Sequence, residues 1–192
     1  PSWGLENQMN LTGQVIIAMP DMGDPRFERA VVLICAHSPS GAMGLILNQP
    51  VPELRFQDLL VQLKIPRGDQ ARDIRLLIGG PVERGRGFVL HSSDYHSAKA
   101  TMAVGETYGM TTTLDVLEAL SVGSGPLQAV MAFGYSGWGA GQLEAEIARN
   151  DWLIGDASDG LIFGAEPARK WALALAGMGV DAMALSPSGG RA

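Results

Sequence analysis

At 192 residues, 46% of them hydrophobic and 18% charged, the chain fits one large domain or at most two small ones, with enough apolar content for a sizeable core. A formal net charge of −6 argues against direct nucleic-acid binding, which draws mainly on phosphate neutralisation. The single cysteine, Cys35, excludes an intrachain disulfide framework and suits a reducing cytoplasm, where the protein is expected to work.

One segment runs against the overall charge. Lys64–Arg86 carries six cations against three carboxylates, and their interleaving reads as a solvated, partly self-paired surface. The apolar run Ala30–Ala36 falls far short of the roughly 20 residues that a membrane-spanning helix needs, so no membrane association is expected. The start of the sequence has no basic stretch followed by an apolar one, which argues against secretion.

In chain order, residues 1–12 lack periodicity, though Trp3 and Leu5 are apolar positions suited to docking on the body. Gln14–Met19 is short, β-branched and closed by Pro20, which predicts a strand. Ala30–His37 predicts a strand buried on both faces, and Met43–Asn48 a third, stopped at Pro50. Three strands without an intervening helix point to antiparallel or mixed pairing. Phe56, Leu59, Leu60 and Leu63 mark one face of a short helix.

Ile74–Ile78 and Gly87–His91 read as strands that would form a hairpin across Pro81–Arg86. Thr101–Val104 and Tyr108–Thr112 flank Gly105 as edge strands, and Thr112 with Asp115 suggests the start of a helix reaching Leu120. Leu127–Phe133 predicts a strand that ends in a glycine-rich turn, Gly134–Gly141, opening onto a helix with Leu143 and Ile147 inside. Trp152–Ile154 and Leu161–Phe163 read as short strands. Pro167 suits the first turn of a last helix with Trp171, Leu173, Leu175 and Met178 as its apolar positions, and Ser186–Ala192 is expected to fray. The whole reads as one α+β domain.

Gly134–Gly141 is the stretch around which the rest is arranged, and it admits two chemistries. As a nucleophile elbow it has a strand before and a helix after Ser136, but Trp138 stands where the motif needs a second glycine, and His37, His91 and His96 all precede the serine. As an anion nest at a helix N-terminus, Gly137–Gly141 lacks a following Lys-Ser/Thr, and Glu144 and Glu146 would repel a phosphate. A neutral or cationic ligand resting on Tyr135 and Trp138 fits this composition better, with packing of Trp138 and Trp152 against the core as the plainer alternative.

His91 and His96 are not spaced as a helical zinc pair, and the loop between them is read as surface or capping, with no metal and no cofactor implied. Cys35, mid-strand, is expected to be buried and inert. Asp21, Asp24, Asp156 and Asp159 are loop carboxylates of the kind that bind turns.

Several blocks together resemble the YqgE/AlgH family of bacterial proteins. They are Leu11–Gln14 with Ile17–Pro20, Asp24–Phe27, Ala36-His37, Gly41–Pro50, Gly79–Val82, Phe88–His91 and, above all, Gly134–Ile147 with Trp152. Their order and spacing span essentially the whole chain; Ala140 departs from the proline that many members carry. The resemblance implies a single compact domain built on a strongly coiled, branched, mixed or antiparallel β-sheet with helices packed outside. It implies no catalytic residues, and one branch is named for an influence on alginate production. Two readings follow. The first is a cytoplasmic, non-catalytic binding or regulatory module that meets a protein or small-molecule partner through Tyr135, Ser136, Gly137, Trp138 and His91, and affects transcription only indirectly. The second is a small-molecule hydrolase using Ser136 or the His91–His96 loop.

Overall fold

Continuous apolar runs without alternation call for strands buried on both faces, and the first three strands answer to that. The computed structural model describes residues 9–179. In it β1 (Val15–Ala18), β2 (Val31–Ser38) and β3 (Gly41–Ile46) form an antiparallel meander, with Ile16 opposite Val32 and Leu33 opposite Leu45. Val15, Ile17, Val31, Leu33, Cys35 and Leu45 enter one core, while Ile16, Ala18, Val32, Ile34 and Ile46 enter a second on the opposite face. The short strand β9 (Trp152–Gly155) closes the outer edge of β1, antiparallel. Trp3, Leu5 and the segment Ser186–Ala192 lie outside the described residues.

The glycine-rich stretch corrects the expectation of a turn. β8 runs unbroken from Ala129 to Gly139, eleven residues, and only Ala140 and Gly141 turn the chain, with Gly141 at φ +72° just before the helix α3 (Gln142–Ala148). Close approach between backbones accounts for Gly134, where a Cβ would stand 2.5 Å from the Gly80 carbonyl oxygen, but not for Gly137, Gly139 or Gly141; it recurs on the neighbouring strand. Gly41, for instance, lies so near this strand that a Cβ would stand 2.5 Å from the Trp138 carbonyl oxygen.

The expected hairpin between Ile74–Ile78 and Gly87–His91 is absent, because β8 lies between the two strands. β4 (Arg75–Ile78) runs parallel to β8 along one edge, Leu76 opposite Met131. β5 (Val82–Ser92) runs antiparallel along the other, Phe88 opposite Ala132. Beyond Phe133 the edge used by β4 passes to β3, Gly44 opposite Ser136, and so the sheet branches.

Three residues, Gly79-Gly80-Pro81, carry the chain from one edge of β8 to the other. So short a link must lie almost on the strand it crosses. A Cβ at Gly79 would stand 2.4 Å from the Gly134 carbonyl oxygen, and one at Gly80 only 2.1 Å from the Tyr135 carbonyl carbon. Gly134 sits under the crossing at φ +73° and reverses the alternation of β8. Val130 and Ala132 before it and Tyr135 after it all face the first core.

β6 (Thr101–Val104) and β7 (Tyr108–Thr111) form the expected hairpin around Gly105 and complete the order β6-β7-β5-β8-β3-β2-β1-β9. The sheet curls so far that Gly105, at its β6 end, comes within 3.2 Å of where a Cβ of Gly13, just ahead of β1, would stand. This is a half-barrel with helices outside, an α+β fold. α1 (Phe56–Gln62) and α2 (Leu114–Ser121) cover a third core through Phe56, Leu60, Val116 and Leu120. Thr113, one residue later than expected, precedes α2 and bonds Asp115 with its hydroxyl.

Leu161–Phe163 is wound into a helical turn over Gly160–Gly164, not extended. A three-residue apolar run fits either period, and without a strand partner the helical form closes its own hydrogen bonds. The last helix, α4 (Lys170–Gly177), follows a short turn begun by Pro167. Its inner face is Lys170, Trp171, Ala174 and Leu175, while Leu173 and Met178 lie on the outside.

Candidate functional site

Ser136 follows the glycine crossing in β8 and is fully buried. Its hydroxyl donates to the Gly79 carbonyl oxygen at 3.1 Å, an oxygen that also accepts the Ile46 N–H at 2.9 Å. The serine thus ties the crossing segment to the strand beneath it. It does not occupy a strand–turn–helix corner, and its proton is committed to an oxygen that cannot act as a base.

Trp138 points to the opposite face from Tyr135. Its ring packs against Phe27 at 6.1 Å and edge-on to Trp152 at 6.1 Å, and it is 6% exposed. Both indole N–H groups end on one oxygen, Glu146 Oε1, at 3.1 Å from Trp138 and 2.9 Å from Trp152, while Gln142 holds the other carboxylate oxygen. Glu146 is the residue that sequence reasoning missed here. In the sequence it figures only as a charge that would repel a phosphate, whereas its carboxylate meets two otherwise orphaned donors. The nest that the sequence already argued against over Gly137–Gly141 is not formed: an extended backbone sends successive N–H groups to opposite sides, and the Gly139 N–H is taken by the Gln142 side chain at 2.9 Å.

On the Tyr135 side the concave sheet opens into a cleft of about 940 Å³. Met43, Phe88, Met102, Met110 and Tyr135 wall it, Gly137 and Trp138 also border it, and Arg86 stands at its edge. Phe88 and Tyr135 meet edge to face at 6.0 Å, and the Arg86 guanidinium lies 5.0 Å from the Phe88 ring centre. Tyr135, Gly137 and Trp138 are therefore brought together at one cleft. Ser136 and His91 are not among the residues that border it.

His91 belongs to the other end of the strand pair. It lies opposite Ala129, seven residues from Ser136, or about 20 Å along a strand. Its bonds form a chain. The Ser97 N–H donates to Thr101 Oγ1 (2.8 Å), Thr101 and Thr111 hydroxyls meet at 2.7 Å, and Thr111 Oγ1 meets His91 Nε2 at 2.8 Å. His91 Nδ1 is 2.7 Å from the Ser92 carbonyl, which can only accept. Nδ1 therefore carries a proton, and Thr111 can donate to Nε2 of the neutral ring. Burial lowers its pKa below the usual 6.5, against smaller opposing effects of the Ser92 carbonyl and Asp94. His96 is exposed. His37 accepts the Leu11 N–H on Nδ1 at 3.0 Å, so its other nitrogen carries the proton and faces Glu144 Oε1 at 3.3 Å, off hydrogen-bond geometry.

Cys35 is buried, and desolvation pushes its thiol up to about 12, so no thiolate is available near neutrality. Asp24 holds Arg26 and the first turn after it, and Asp159 accepts the Tyr108 hydroxyl at 2.9 Å. Among the described residues no group of three metal-ligating side chains converges. Lys170 is the second residue that sequence reasoning passed over. Fully buried, it donates to the Ile162 carbonyl at 2.8 Å, and desolvation, aided by Arg75, lowers its pKa to about 8. Helical spacing places it on the same face as Trp171 and Ala174, and that was the signal available.

Comparison with known proteins agrees with this architecture. The AlgH-like family model, DUF179, matches residues 15–183, and the chain belongs to that family. It is 58% identical over 184 residues to a UPF0301 protein of Cereibacter sphaeroides, covering 96% of this chain and 100% of that one. A UPF0301 protein of Paracoccus denitrificans is 51% identical over 190 residues, covering 98% and 100%. The solution structure of AlgH from Pseudomonas aeruginosa superposes with a TM-score of 0.76 at 38% identity, over 97% of this chain and 98% of that one. Among the described residues no helix is long and apolar enough to cross a membrane.

Proposed function

We propose that the protein is a non-catalytic binding module, working in the cytoplasm, whose ligand occupies the concave cleft beside Tyr135 and Gly137. The observation that supports this reading is the separation of the cleft from Ser136 and His91. Its walls are mainly thioether, aromatic and aliphatic, with Ser38, Ser40, Thr112 and His37 also bordering it, while Ser136 and His91 are buried elsewhere with their protons committed. A cleft of this size and lining suits a small molecule or an inserted side chain. Trp138, Ser136 and His91 act from behind, keeping the strand that carries Tyr135 in place. Any influence on transcription would pass through the bound ligand or a protein partner, since a chain of net charge −6 is poorly suited to DNA.

Titration with an anilinonaphthalene dye tests this. Saturation at one site per chain is expected, with amide shift changes clustered on Met43, Phe88, Tyr135 and Gly137. Changes confined to α3 or scattered over the surface would overturn the assignment. Hydrolysis at Ser136 would require the hydroxyl to leave Gly79. Activity on p-nitrophenyl esters that disappears in Ser136→Ala, with the fold intact, would favour that alternative.

A further inference from the structure

If the cleft is the binding site, its electrostatics narrow the ligand. Among the described residues that border it there is one permanent cation, Arg86, and no carboxylate, in a chain that carries six net negative charges. His37 borders the same cleft but turns its ring toward Leu11 and Glu144. Arg86 is not strongly held by its own neighbours. The Glu83 carboxylate is 3.6 Å from Nη1, beyond hydrogen-bond distance, and both side chains are about half exposed; such pairs contribute little. The guanidinium rests instead on Phe88, which positions its donors over the apolar wall.

That wall is adaptable. Met43, Met102 and Met110 are flexible and polarizable, and suit apolar bodies of variable shape. The platform expected for a cationic ligand is missing, because the Trp138 indole packs on the other face of β8, and a cation would meet Arg86. A polyphosphate would find a single guanidinium and extended backbone where it needs several converging donors.

We propose that the cleft takes an amphipathic monoanion, a carboxylate or sulfonate with an aliphatic or aryl body, whose acid group pairs with Arg86 while the body lies on the methionine and aromatic wall. The proposal rests on the cleft being a binding site.

Two dyes that differ only in the acid group separate the two claims: 8-anilino-1-naphthalenesulfonate and its neutral counterpart N-phenyl-1-naphthylamine. The wild type should bind the sulfonate at least about tenfold more tightly, a difference expected of one charge-assisted contact, and decanoate should displace it. Arg86→Met, at an exposed position, should reduce the difference between the dyes to less than about threefold. Met102→Glu, on the exposed edge strand, should weaken the sulfonate about tenfold and the neutral dye less. Equal affinities for the two dyes that Arg86→Met leaves unchanged would overturn the monoanion while leaving the cleft as a site. Failure of both dyes to bind the wild type would overturn the cleft itself. Sulfonate binding unaffected by either substitution would place the dye elsewhere and overturn the proposal.

Discussion

Trp138 and Trp152 donate to the same carboxylate oxygen, Glu146 Oε1, while their rings meet edge to face at 6.1 Å. The pairing fixes α3 against the end of β8 and fills the second core together with Phe27. Trp138→Ala should therefore cost about 3–5 kcal/mol, from lost apolar burial and the cavity left behind. Ser136→Ala should cost about 1 kcal/mol, because Gly79 keeps its bond from Ile46. Urea melts give the order directly, and a Trp138 variant as stable as wild type would contradict the packing described.

At the crossing, Gly80→Ala should be among the most damaging single substitutions in the chain. Its Cβ would stand 2.1 Å from the Tyr135 carbonyl carbon, and backbone on both sides would have to part. A loss above about 4 kcal/mol, or no soluble folded protein, is expected. Gly85→Ala, where nothing lies within 4 Å, is the control and should stay within about 0.5 kcal/mol of wild type. Tolerance of alanine at Gly80 by circular dichroism and melting would rule out so close a crossing.

His91 makes the fold sensitive to mild acid. Its native pKa is lowered from 6.5, so the unfolded chain binds the proton first as pH falls. The stabilisation is complete above about 6.5 and is lost progressively as pH drops from there toward the lowered native value. The unfolding midpoint should fall across this range, and His91→Gln, which does not titrate, should flatten the fall. An unchanged slope in the variant would remove His91 from the account.

Lys170 acts at the alkaline end. With a native pKa of about 8 against an ordinary 10.5, the unfolded chain holds the proton more tightly between these values, and stability should rise as pH increases through that window. Lys170→Met should abolish the rise. Near neutrality it should leave the protein as stable or more so, since an apolar side chain replaces a buried charge. Urea midpoints at pH 7 and pH 9.5 check both statements, and a variant that keeps the wild-type rise would refute the first.

Local pattern was enough for β1 to β3, for the Phe56–Leu60 face of α1 and for the β6–β7 hairpin, because in each the partners are sequence neighbours or share one helical face. It failed where the decisive partner comes from far away. Nothing near Gly79 announces that β8, some fifty residues later, will separate β4 from β5. The same distance hid the meaning of Gly134, which reads locally as a turn and in the fold is the point where another backbone passes. At the candidate site, Tyr135 and Trp138 were picked out by composition. Their opposite orientations depend on the alternation reversed at Gly134, and Arg86 and the methionines reach the cleft only through the curl of the sheet.

The crossing also bears on synthesis. β8 alone joins the β5–β7 ribbon to the β1–β3 ribbon, and it leaves the ribosome after both. Until residue 139 has emerged, the nascent chain holds two strand groups with their inner edges open and a three-residue strap with nothing beneath it. The central strand must then slide under that strap in its final register, a late event between distant segments that favours slow folding and exposure to aggregation. A chain released before Ala129 would have every strand that borders β8 and no means of bringing them together.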